Sequence, residues 1–415
     1  MTPLTISAVH LSKSIAYGPK SNKLVSVPCV SLTLSDRSSF KGDGILAGSE
    51  RLNPDHQAAI EAELNRILKD QPADDFFTLC ERVATSSYIT EEWLYPEPDQ
   101  ETGDELLKKN RRDMLTVFGV VEQKMPEKVL TPVTHTLPAI VVRALTAALL
   151  RAVAHTQTKS ITELVQTLLA SPTPLNTRPN LGLDVSLASE PLLLSHAAAL
   201  CYTVPAASTA ESLGKTGEKF QKYLRDLGTW IADSWSRRDP ADRPSLFVDL
   251  NGAIHRLNGN ITGKTLGSLF GFSTTGNQEK MIFANAVINS TPLKTANDMA
   301  LLQSLVKSRK LKLKLAAGEY TNTHDDVSLW LEKSKPEIIL LKEIETANLG
   351  ELLKIIKTIN SSETNLIIIG GNGGNRRSWE LIHTIAQLAT PEIYIPAGEK
   401  HGMIDLINRY DDKMR

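Results

Sequence analysis

One feature constrains the fold of this 415-residue chain more than any other. From about residue 175 onward, short apolar runs alternate with amphipathic stretches. The runs are residues 246–250, 283–288, 311–316, 338–341, 366–369 and 393–395, and their ends lie roughly 25 to 40 residues apart. A continuous apolar run of this length is too short for a helix and reads as a strand buried on both faces. Helix-like stretches at 298–307, 325–332, 349–359 and 379–388 lie between most of the runs. A helix between two strands makes a parallel crossover. About six such units, with room for one or two more near Leu183 and residues 192–194, predict a (β/α) barrel of the TIM type. An open doubly wound sheet is the alternative. The run at 311–315 alternates with Lys310, Lys312 and Lys314, so that strand is expected to carry one polar face.

The first part of the chain follows another pattern. Residues 6–11, 24–34 and 44–47 are rich in β-formers and separated by turn residues. Pro54-Asp55 opens a helix with Ile60, Leu64, Ile67 and Leu68 at helical spacing. Residues 97–113 are polar and expected at the surface. A helix from Pro138 is apolar around most of its circumference, through Ile140, Val141, Ala144, Leu145, Ala148, Leu149, Ala152 and Val153, and should be centrally buried. The expectation is therefore an α/β protein: an α+β unit over residues 1–170, followed by a (β/α) barrel with a C-terminal tail over 171–415.

Charge removes several function classes. The chain has 46 Lys+Arg against 47 Asp+Glu, so it lacks the basic excess of a nucleic-acid binder and the charge blocks of a polyanion or membrane-surface tail. The N-terminus shows no basic region followed by an apolar core. The stretch 138–155 is interrupted by Arg143 and Arg151 and reads as a core helix, not a membrane span. Three widely spaced cysteines, Cys29, Cys80 and Cys201, suggest neither a disulfide framework nor a zinc knuckle. A cytoplasmic protein with no nucleic-acid and no membrane partner is expected.

In a barrel, chemistry sits where strands end. The strand ends here offer His196, Asp249, Asn289 with Ser290, Glu319, Lys342 and Asn372 in a glycine-rich loop. Each has an ordinary structural alternative: a solvated lysine, a capping aspartate, a hydrogen-bonded histidine. It is the coincidence of several that points to a site. Gly214-Lys215-Thr216 and Gly263-Lys264-Thr265 are not P-loops, because the required upstream glycine is Thr209 in one and Asn258 in the other. The loop 370–374 lacks dinucleotide spacing, so neither NAD nor a flavin is expected, and no histidine pair stands at zincin spacing.

Taken together, the segments LPAIVVRALTAALLRAVAH, GEKFQKYLRDLGTWI, SLFVDLNGAIH, LAAGEYTNTHDDV, IILLKEIETANLG and IIIGGNGGNRRSW resemble, in order and spacing, methylaspartate ammonia-lyase of the enolase superfamily. The resemblance runs from about residue 137 to the C-terminus. It implies an enolase-like fold, with the α+β unit as a cap on the barrel. It also implies a reaction, elimination of ammonia from 3-methylaspartate, in which a base removes a proton next to a carboxylate. A magnesium ion (Mg2+) on three acidic residues would stabilise the enolate-like anion. Carried onto this chain, the resemblance assigns the proton-transfer roles to Lys342 and His196 and the first metal ligand to Asp249. The second metal ligand falls on Asn289 or Ser290. The third falls on Gly318, with Glu319 beside it but on the opposite strand face. The substrate contacts fall on Asn180, Leu340, Asn372 and Gly373. A homodimer and a small carboxylate or amino-acid partner are implied as well. The expected function is a carbon–nitrogen lyase acting by α-proton abstraction on an amino-dicarboxylate. The alternatives are a non-catalytic descendant that binds or assembles, and a metal-independent racemase or epimerase.

Overall fold

The computed structural model describes residues 4–18, 21–45, 52–94, 128–171, 180–184, 199–203, 213–214, 217–234, 236, 244–253, 271, 281–342, 344, 347–370 and 376–396. The chain begins with an antiparallel meander of β1 (Ile6–Gly18), β2 (Ser21–Leu34) and β3 (Ser39–Asp43). The first two strands are longer than their apolar runs, because the outer half of the hairpin exposes Ile15 and Leu24 and is held by ladder pairing, not burial. The third strand lies a few residues earlier than expected.

A short 3-10 turn (Pro54–His56) leads into α1 (Gln57–Leu68), with Asn53 capping the turn through a hydrogen bond from the Asp55 amide. Next come α2 (Phe76–Ala84), capped by Asp75, and the antiparallel pair β4 (Ser87–Leu94) and β5 (Val129–Thr136). Residues 97–113 and Ala47 lie outside the described residues. The apolar helix is α3 (Ala139–Thr156), and most of its side chains are buried as expected. It is long and apolar enough to cross a membrane, yet it forms the centre of the core. β3 lies directly on its backbone: a β-carbon on Gly42 would stand 1.9 Å from the Ala144 carbonyl oxygen. Only glycine permits that approach. A full capping box, Ser160 with Glu163, starts α4 (Ile161–Leu169).

The rest of the described chain is a parallel barrel. Its strands are β6 (Gly182–Asp184), β7 (Ala199–Thr203), β8 (Ser245–Asp249), β9 (Met281–Ala284), β10 (Lys314–Ala317), β11 (Ile338–Leu341), β12 (Asn365–Gly370) and β13 (Ile393–Pro396), each beside the next in chain order. The circuit closes through the Leu181–Tyr394 bridge and a hydrogen bond from the Tyr394 amide to the Asn180 carbonyl, 2.8 Å, so the sheet is not an open one. Outside the strands lie α5 (Glu218–Ser234), α6 (Pro292–Ser308), α7 (His324–Lys333), α8 (Leu349–Asn360) and α9 (Arg376–Leu388).

Two cores result. Ala199, Cys201, Phe247, Ile282, Ala284, Ala316, Ile338, Leu340, Ile367, Ile393 and Ile395 fill the barrel interior. The outer strand faces pack with the helices into a second core, continuous with that of the first unit. The polar face expected at 311–315 is confined to the strand entrance, where Lys312 and Lys314 are exposed and Lys314 pairs with Glu392 at 2.8 Å.

Candidate active site

Side chains alternate along a strand, so the interior residues Phe247, Ala316 and Leu340 fix what points inward two positions later. Those residues are Asp249, Gly318 and Lys342, at the C-terminal mouth of the barrel. Asp249 is 1% exposed. The Lys342 ammonium lies 2.5 Å from Asp249 Oδ2, and the Lys342 side chain keeps 30% of its surface exposed toward the mouth. On the other oxygen, Oδ1, Asp249 accepts from the Asn251 amide at 3.0 Å and from Asn285 Nδ2 at 2.9 Å.

Asn285 is a residue that the strand-end reading missed. The apolar run 283–288 suggests a strand ending near Asn289, but β9 stops at Ala284. Asn285 comes next, in the left-handed conformation, φ 51°. Its amide donates to the Ala316 carbonyl, 3.1 Å, and its Oδ1 accepts from the Gly318 amide, 2.8 Å. Ala286 and Val287 remain buried, but in the outer core beyond the ladder, which is why the apolar run overshoots the strand. The available signal was a single amide side chain interrupting the otherwise apolar stretch 281–288.

Asn289 sits elsewhere. Its Nδ2 donates to Asp298 Oδ2 on α6 at 2.7 Å, its amide donates to Thr295 Oγ1, and its carbonyl accepts from the Tyr320 hydroxyl. Ser290 is exposed. Glu319 follows Gly318, lines with Gly318 and Lys342 a cavity of about 340 Å³ that also reaches Tyr320, Ile344, Glu351 and Ile355, and accepts at its carbonyl from Trp330 Nε1. Asn180 lies before β6, where its side chain donates to the Glu392 carbonyl at the entrance to β13. That is the opposite end of the barrel from Asp249. His196, Asn372 and Gly373 lie outside the described residues, and the strand described after His196 is β7, which starts at Ala199.

The residues described at the mouth do not fit a magnesium ion. That ion requires several oxygen ligands in near-octahedral array, chiefly carboxylates. Asp249 is already covered by an ammonium, and the cavity beside Gly318 and Lys342 adds Glu319 and Glu351, the latter already accepting from the His324 amide. Asn285 has committed its oxygen to a backbone amide and its nitrogen to Asp249. Gly318 offers no ligand, and a β-carbon there would lie 2.8 Å from Leu340 Cδ2 and 3.1 Å from Asn285 Nδ2. The cation that neutralises Asp249 is Lys342 itself.

A closed parallel barrel with an antiparallel meander and helices packed on it, and with charged residues at its C-terminal mouth, defines the class by its fold: a capped (β/α) barrel. Residues 171–391, just over half of the chain, match the family model described as methylaspartate ammonia-lyase C-terminus, and the chain belongs to that family.

Among curated proteins, methylaspartate ammonia-lyase 2 of Carboxydothermus hydrogenoformans is 22% identical over 218 residues, which is 52% of this chain and 51% of that protein. The match thus spans about half the length of that relative. Solved structures align over nearly the whole chain. Methylaspartate ammonia lyase of Citrobacter amalonaticus, containing (2S,3S)-3-methylaspartic acid, has a TM-score of 0.69 at 14% identity, covering 99% of this chain and 98% of that one. The magnesium complex of β-methylaspartase from Clostridium tetanomorphum has a TM-score of 0.67 at 15% identity, covering 98% of each.

Proposed function

We propose that this chain is a metal-independent member of the ammonia-lyase family that binds a small carboxylate at the barrel mouth and does not eliminate ammonia from it. One observation carries the reading: the ammonium of Lys342 on the buried carboxylate of Asp249, 2.5 Å apart. An ammonium carries three N–H donors, so those not used by Asp249 remain to receive a ligand carboxylate, and the partial exposure of Lys342 leaves them a route to it. The electrophile needed to acidify a proton next to a carboxylate is missing among the described residues. A factor of ten in rate corresponds to about 1.4 kcal/mol of barrier, and a lost metal removes several such factors. The partner would be an amino-dicarboxylate or a related small acid, in line with the ligand named for the Citrobacter structure.

The test is calorimetric titration with 3-methylaspartate, aspartate and their deaminated products, with magnesium and with a chelator, alongside an assay for ammonia release. Saturable binding indifferent to magnesium, with no ammonia formed, is expected. Magnesium-dependent ammonia release defeats the proposal.

A second reading is the lyase itself, with Lys342 and His196 as the proton-transfer pair. Its support is family membership and the position of Lys342 at the catalytic end of a barrel strand. It requires Nζ to leave Asp249 and present a lone pair to the substrate. Absence of Lys342-dependent exchange of a substrate α-proton with deuterated solvent, both with and without magnesium, would eliminate this reading and a racemase alike.

A further inference from the structure

The β4–β5 pair carries a cluster that the barrel mouth does not use. Along β4, Tyr88, Thr90 and Glu92 share one face, and across the ladder His135 on β5 stands directly opposite Tyr88. The 3-10 turn before α1 brings His56 over the same face. Its Nε2 points at Glu92 Oε1 from 3.6 Å, beyond hydrogen-bond range, while His135 Nε2 lies 2.8 Å from the same oxygen. The two imidazoles are 4.9 Å apart between centroids. Two neutral-ligand nitrogens and a carboxylate oxygen therefore converge, from three separate elements, within 4.8 Å of one another.

We propose that His56, Glu92 and His135 bind a divalent transition metal, with zinc as the ion the donor set best suits. Four ligands around zinc at about 2.0–2.1 Å in a tetrahedron stand roughly 3.3 Å from each other. The two distances to Glu92, 3.6 Å and 2.8 Å, bracket that value, so side-chain rotations of a few tenths of an ångström complete three corners. Imidazole nitrogen selects zinc, nickel, cobalt or copper over magnesium, which demands oxygen.

The surroundings are those of a held ligand. The Tyr88 hydroxyl lies 2.9 Å from His56 Nδ1, which fixes that ring with Nε2 toward Glu92, as outer partners of metal-bound histidines do. Tyr88 also stacks on His135, with centroids 5.2 Å apart. The Thr90 hydroxyl, 2.8 Å from His135 Nε2 and 3.0 Å from Glu92 Oε1, occupies the space that the ion would take and must rotate aside or become its neighbour. Side-chain exposures of 17%, 33% and 25% for His56, Glu92 and His135 leave the ion a way in.

The experiment is zinc titration of the full chain, carrying no polyhistidine tag, by calorimetry, with the visible spectrum of the cobalt-substituted protein as a measure of coordination. One zinc equivalent and a tetrahedral cobalt spectrum are expected. His56→Ala/His135→Ala should abolish both, Glu92→Gln should weaken binding at least about 10-fold, and Tyr88→Phe should weaken it about 10- to 100-fold while leaving the stoichiometry intact. Absence of saturable zinc binding by the folded wild-type chain overturns the proposal, whatever the variants do. So does unchanged binding in the double histidine variant.

Discussion

Leu340 fills the space that any side chain at Gly318 would need: a β-carbon there would stand 2.8 Å from Leu340 Cδ2 and 3.0 Å from Leu340 Cβ. Leu340 lies on β11 and Gly318 directly follows the adjacent parallel strand β10, and Leu340 is fully buried. Glycine at 318 and the apolar bulk at Leu340 are therefore coupled: an acidic side chain at 318 has no room while Leu340 keeps its place. Gly318→Asp alone should be overpacked by about 1–3 kcal/mol and gain no magnesium affinity. Gly318→Asp/Leu340→Ala should recover part of that loss. Thermal melting and magnesium calorimetry on the two variants check this, and tight magnesium binding by the single variant would contradict it.

Lys342 stabilises the fold as well as defining the site. Removing one partner of a buried pair leaves the other charge uncompensated, at a cost of about 3–5 kcal/mol. Because Lys342 is partly exposed and water can reach its end of the pair, the lower end of that range is expected for Lys342→Met. Adding Asp249→Asn should return most of the loss. Urea unfolding of both single variants and the double variant gives the coupling, and additive effects would show that the two side chains do not depend on each other.

Much of this was legible in the chain. The βα periodicity survives because each barrel strand is buried on both faces, so its residues are apolar whatever their parity, as in Ile338–Leu341. Asp249 and Lys342 were readable for the same reason, since Asp249 is the single polar residue within the run 246–250 and Lys342 the first polar residue after 338–341. Asn285 was hidden because the apolar run continues past it: Val287 serves the outer core in a loop, and sequence does not mark where the ladder stops. His56, Glu92 and His135 were invisible to any local spacing rule, since three separate elements bring them together. Asn180 and Asn289 have the right chemistry for a ligand but are committed to Glu392 and Asp298, which only the packing reveals.

The cysteines should be unreactive in the native state. Cys29, Cys80 and Cys201 are all buried. Burial pushes the Cys80 thiol far up, and burial together with the nearby Asp43 carboxylate raises Cys29. Because the thiolate is the nucleophile, labelling by a maleimide should be about 100-fold or more slower than in the urea-unfolded chain. Mass spectrometry of timed samples reads this directly, and rapid native labelling of Cys80 would mean that the packing of α2 against α8 opens readily.

Asp36 should make the fold acid-sensitive in a defined window. In the β2–β3 turn its carboxylate accepts from the Ser38 hydroxyl and amide and lies 3.1 Å from His155 Nε2. The Ser38 hydroxyl is the largest cause, the Ser38 amide the next, and together with His155 they lower the carboxyl from its ordinary value of 3.8 to about 2. A depressed acid stabilises the fold above its unfolded value and loses that contribution as pH falls through its folded value. The contribution is thus whole above about pH 4 and gone near pH 2. Asp36→Asn should be less stable than wild type at neutral pH, with the difference narrowing between pH 4 and 2. Denaturant unfolding at half-unit steps over that range measures the gap, and a constant difference across it would show that the Asp36 charge contributes nothing to the turn.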